Sequence, residues 1–133
     1  NKENLQRMAD YIRTVPQRSF TMDIYRGRLD TKGPKCNSIG CVIGHCTILD
    51  ANLINDLLRQ HKGDTYAFAE WSFLFTGING SDDAWDWCFH AQWTYYDDTP
   101  TGAADRIEWL LNNGLPENWH AQMVGDAPIC YQK

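Results

Sequence analysis

No apolar run in this chain approaches the length needed to cross a bilayer, and no basic start followed by an apolar stretch marks a secretory leader. The expectation is a cytoplasmic protein with no membrane partner. The sequence starts at Asn1, so an initiator or a short leader is expected to be missing from it. Positive charge is scarce, with 12 Lys and Arg against 17 Asp and Glu and a net charge of −5. Arg26, Arg28, Lys32 and Lys35 form the one modest basic group, too dispersed to neutralise a phosphate backbone, and they read as a solvated loop. Nucleic acid is therefore not expected as a partner. A phosphate-cradling glycine loop is also missing, because Gly77-Ile78-Asn79-Gly80 runs into acids rather than lysine. There is no Gly-x-Ser-x-Gly nucleophile elbow. The five cysteines are odd in number and follow no secretory signal, which argues for reduced thiols over a disulfide framework.

What the chain does have is ordinary globular composition over 133 residues, 43% apolar and 22% charged, which suits one domain spanning 1–133. Aromatic residues are abundant at 13%, and most fall between Tyr66 and Trp119. Helical periodicity dominates. Leu5, Met8, Ala9 and Ile12 share one face of a helix over 1–15 that Pro16 stops. Phe20, Met22 and Ile24 alternate with polar residues, which predicts a short extended segment over 19–25. A short buried helix is expected over 40–49, then a helix over 51–60 capped by Asp50 or Asn52. The stretch 65–75 predicts a third helix with Phe68, Trp71, Leu74 and Phe75 as its buried stripe, and 84–93 another. The clearest element follows Asp98-Thr99-Pro100, with Ala103, Ala104, Ile107, Leu110 and Leu111 buried and Gly114 ending it. No period marks 117–133. The fold class is mainly α, α+β being the alternative: a compact single-domain helical fold with at most one small extended or β element.

Two segments could carry chemistry. Cys36, Cys41, His45 and Cys46 lie within eleven residues. As metal ligands, Cys36, Cys41 and His45 could be completed by Cys88 and His90 from a distant segment, but the close repeated pairs of structural zinc are incomplete. As catalysis, Cys41 at a helix start would be the nucleophile and His45, His90 or His120 its base. As structure, the thiols are small buried hydrophobes, and Gly40 and Gly44 let another element approach. The structural reading asks for least and is adopted, with neither catalytic residues nor a cofactor expected. The second segment holds Trp85, Asp86, Trp87, Trp93, Tyr95, Tyr96 and Asp97. Helical spacing makes these aromatics a core signal first, but six Trp exceed what a core of this size uses, so rings are expected at the surface with acids around them.

Phe20-Thr21-Met22, then Cys36 to Cys41-Val42-Ile43-Gly44-His45, then Thr99-Pro100 with Ala103, Ala104, Arg106 and Ile107 resemble segments of a scattered group of small bacterial and phage proteins. That group shows Phe-x-Met, Cys-x4-Cys-x2-Gly followed by His or Trp, and a late Thr-Pro-x2-Ala-x2-Ile helix. This chain has Asn37-Ser38 where the group often has Gly-Thr. The resemblance implies a cytoplasmic accessory protein and carries over no catalytic role. The functional expectation is a small non-enzymatic binding protein, phage-encoded, that inhibits a host protein such as a defence component, through Trp85, Asp86, Trp87, Trp93, Tyr95, Tyr96 and Asp97. One alternative is a sponge for a small nucleotide signal, with Arg26, Arg28 or Arg106 as phosphate anchor. The other is a Cys/His hydrolase or a zinc protein at Cys36, Cys41 and His45.

Overall fold

Helix α1, Lys2–Ile12, turns Leu5, Met8, Ala9 and Ile12 inward, and the Asn1 side chain caps it by accepting from the Asn4 amide at 3.0 Å. The computed structural model describes residues 1–22, 27–28, 38–39, 41–61 and 64–132, with 27–28, 38–39 and 64 described by backbone alone. A 3-10 turn at Gln17–Ser19 leads into extended backbone at Phe20. Phe20 and Met22 are buried, as the alternation predicts; 23–25 lie outside the described residues. Gly27–Arg28 (β1) and Ser38–Ile39 (β2) form one short antiparallel pair.

The other regular elements among the described residues are helices and 3-10 turns. Helix α2, Val42–Cys46, runs into a 3-10 turn at Thr47–Asp50, and α3, Ala51–Gln60, follows directly. Asp50 caps α3 through its carboxylate on the Leu53 amide at 3.3 Å. Helix α4 spans Asp64–Thr76, α5 Asp83–Phe89, α6 Pro100–Asn113 and α7 Trp119–Met123. The α6 start is set by Thr99, whose hydroxyl accepts from the Gly102 amide at 2.9 Å, and by Pro100 in the first turn, where its missing N–H costs nothing. Gly114 at φ 78° ends the helix. Asp98 does not share that cap. Its carboxylate takes the Met22 amide at 2.6 Å and the Thr21 hydroxyl at 3.2 Å, fastening the extended segment to the start of α6.

Helix α1 packs chiefly on α6 and also touches α2 and α4; α3 packs on α4, and α5 on α6 and α7. The mainly α architecture thus agrees with the periodicity. The buried side chains form one cluster that runs from α1 through Cys41, Val42, Ile43 and Cys46 to Trp71, Trp87, Trp93 and Ile107. Helix α5 is shorter than its pattern suggests: it stops at Phe89, and a 3-10 turn, Ala91–Tyr95, carries Trp93. That turn points Trp93 at Trp87, not along the face that Trp85 and Phe89 share. No helix among the described residues is long and apolar enough to cross a membrane.

Candidate functional site

The described cysteines of the thiol segment are buried. Cys41 and Cys46 are buried and unpaired, as is Cys88 on α5. Burial pushes the Cys41 thiol up to about 11, against the opposing pull of the Gly44 and Ile43 amides. Burial likewise pushes Cys88 up to about 12 and Cys46 well above the usual thiol range. A helix-start cysteine becomes reactive when the amides outweigh desolvation; here desolvation wins, and Cys41 stays a neutral thiol. His45 is half-buried and stacks on Phe20 at 6.4 Å between ring centroids. Its Nε2 lies 2.6 Å from the Ser19 carbonyl oxygen. A carbonyl can only accept, so Nε2 carries the proton and is committed to the backbone. Cys36 lies outside the described residues. Among those described, no group of three His, Cys, Asp or Glu is placed to hold a metal ion. His90 accepts the Gln92 amide at Nδ1, 2.9 Å away.

The aromatic segment divides into an inside and an outside. Trp87 and Trp93 are fully buried, and the Asp97 side chain is nearly so. The sequence reading expects these three at a contact surface; the fold buries them. The indole N–H groups of Trp87 and Trp93 are satisfied there. Trp87 Nε1 donates to the Arg106 carbonyl and Trp93 Nε1 to the Trp87 carbonyl, each at 2.9 Å. An indole whose one polar atom is satisfied indoors behaves as a large hydrophobe, contributing on the order of 4–6 kcal/mol before entropy. Trp71 and Trp85 do the same, donating to the Asp50 carbonyl at 3.2 Å and to Ser72 Oγ at 3.0 Å. Trp85 and Asp86 are half-buried. Burial holds the Asp86 carboxyl above the usual range, against the pull of His90 and His120. Only Tyr95 and Tyr96 of the expected set stand well out of the surface.

At the centre of this cluster lies Arg106, with no solvent exposure. Its guanidinium sits 4.2 Å over the Trp93 ring. Nη1 donates to Tyr131 Oη at 2.8 Å and lies 3.4 Å from Asp97 Oδ2. Tyr131 Oη in turn donates to the same carboxylate oxygen at 2.8 Å, and Thr99 Oγ1 to the other at 2.7 Å. The charge is neutralised within the fold, and Arg106 has no face to offer a nucleotide phosphate. Gly102 is needed beside it: a Cβ there would collide with the Asp97 carboxylate. Arg26 lies outside the described residues and Arg28 is described by backbone alone.

A second exposed region was not singled out by pattern. Helix α4 buries Ala67, Phe68, Trp71, Ser72, Phe75 and Thr76 on one side. On the other side Tyr66 is 72% exposed, Leu74 52% and Phe73 42%. With Glu70, also exposed, they occupy successive places on one helical face. Leu74, expected in the buried stripe, is therefore on the outside. The signal was legible in principle, since a helix apolar on all sides is either fully buried or presents an apolar face. Ile48, in the turn before α3, is exposed as well.

Comparison of the chain with protein families, with curated proteins and with solved structures gives no match. The functional reading therefore rests on the geometry above.

Proposed function

We propose that this chain is a non-enzymatic binding protein that acts by occupying the surface of another protein. The observation that carries the reading is the outer face of α4, where Tyr66, Phe73 and Leu74 stand together in solvent. Large apolar side chains that cluster at a surface mark interaction sites, and aromatic ones are enriched among interface anchors. The groups that could have supported catalysis favour the same side: Cys41 and Cys88 are neutral, buried thiols, and the His45 Nε2 proton is held by the Ser19 carbonyl. Inhibition of a host protein by a phage-borne chain, implied by the resemblance to small phage proteins, belongs to this proposal. So does a cytoplasmic setting, which suits the unpaired Cys41, Cys46, Cys88 and Cys130. The nucleotide-sponge alternative loses its Arg106 anchor to Asp97 and Tyr131.

Site-specific photo-crosslinking tests the reading. A benzophenone side chain is placed at Tyr66 or, separately, at Tyr95, and exposed to bacterial lysate. The partner that cross-links from position 66 is then purified and its affinity measured. Leu74→Asp is expected to weaken that affinity about tenfold or more, equivalent to about 1.4 kcal/mol. Adducts that form from position 95 alone, or affinity indifferent to Leu74→Asp, would contradict the assignment.

A further inference from the structure

Resting on that reading, we infer that the outer face of α4 docks an amphipathic helix whose apolar anchors bracket a lysine or arginine, and that this cation pairs with Glu70. The face is a stripe, not a plate. Tyr66, Glu70, Phe73 and Leu74 follow helical spacing, and Tyr66 to Leu74 spans about 12 Å along the axis. A stripe of that length accommodates about two turns of one crossing helix by ridge-into-groove packing. It is too small for the surface of about 800 Å² per partner that a standard globular interface buries.

Charge decides between a second copy and a different partner. Glu70 lies midway between Tyr66 and Leu74. In a two-fold antiparallel pairing of α4 with its own copy, the residue midway along the contact meets itself. The two Glu70 carboxylates would then face each other inside an apolar contact, which is repulsive and desolvated. A partner cation at that point removes the penalty, and the Tyr66 and Phe73 rings beside it add cation–π attraction. The net charge of −5 also steers a basic helix toward this chain at long range.

The test uses the full chain and two labelled synthetic peptides of about 15 residues, long enough to form helix. They carry the same Leu and Phe anchors at helical spacing and differ only in a central Lys or Glu. Binding is read by fluorescence anisotropy, and sedimentation reports whether the free chain self-associates. The expected result is a monomeric chain that binds the Lys peptide about tenfold more tightly than the Glu peptide. Glu70→Lys is expected to reverse the preference, and Leu74→Asp to abolish both. Tyr66→Ser serves as a second, milder variant, and thermal melting verifies each fold. Equal affinity for the two peptides, still lost on Leu74→Asp, would sink the charge rule and leave the binding surface standing. Binding indifferent to both Leu74→Asp and Tyr66→Ser, no binding of either peptide, or a dimer of the chain that Leu74→Asp dissociates would overturn the inference itself.

Discussion

The neighbourhood of Arg106 and the outer face of α4 are built from similar residues to opposite effect. Around Arg106, two tryptophans, a tyrosine, a carboxylate and a guanidinium are closed off from solvent; both indoles, the phenol, the carboxylate and Arg106 Nη1 find partners inside, while Arg106 Nε and Nη2 have none among the described residues. On α4, a tyrosine, a phenylalanine and a leucine stand open beside a lone carboxylate. Aromatic content by itself does not mark a working surface. What separates the two regions is burial: the Trp87 and Trp93 indoles are enclosed with their N–H groups satisfied by backbone carbonyls, whereas Tyr66, Phe73 and Leu74 face solvent.

The largest effect expected from breaking this comparison is at Arg106. Arg106→Met removes the cation and leaves the Asp97 carboxylate buried beside Tyr131. Loss of one partner of a buried pair costs about 3–5 kcal/mol, to be read as a drop in the denaturant midpoint. Asp97→Asn in the same background is expected to recover part of the loss; a single variant with unchanged stability would show the pair to be idle.

Alkaline pH sharpens the contrast at the next level. Cys41, Cys46, Cys88 and Tyr131 hold their protons above the ordinary range because burial disfavours the charged form. The unfolded thiols ionise near pH 8.5 and the folded ones do not. The unfolded state therefore releases protons first. Stability is fully present below about pH 8.5 and falls above it, by up to about 1.4 kcal/mol per pH unit for each such thiol. Urea titrations between pH 7 and 10 check this, and Cys88→Ala should flatten the decline. Under native conditions at pH 7, Cys41, Cys46 and Cys88 should react with a thiol reagent only as fast as the protein opens; prompt reaction of any of them would place it in an accessible site.

The smallest expected effect on stability is on the other side of the comparison. Phe73→Ser and Leu74→Asp change exposed side chains and should stay within about 0.5 kcal/mol of the parent. A large destabilisation would mean that the face is packed in solution and not available for docking.

Much of this arrangement was legible in the sequence. The apolar spacing of Leu5, Met8, Ala9 and Ile12 marked α1, and Thr99-Pro100 with Gly114 bounded α6, because cap chemistry is local. Helix α7 escaped, since Trp119–Met123 is too short to display a period. The inward tryptophans escaped for a different reason. The carbonyls of Asp50, Trp87 and Arg106 that accept their N–H groups leave no trace in residue type. Arg106 looked like a phosphate anchor because its neutralising partners come from elsewhere, Asp97 from the loop before α6 and Tyr131 from the tail. Periodicity places Leu74 in the core because it names an apolar residue without naming its neighbour.

One titration confronts both regions at once. Isotope-labelled protein is titrated with the Lys-bearing helical peptide while backbone and indole N–H resonances are followed. The backbone signals of Tyr66, Glu70, Phe73 and Leu74 should move, and the Trp87 and Trp93 indole signals should stay fixed. Movement of those two indoles with α4 silent would contradict the account.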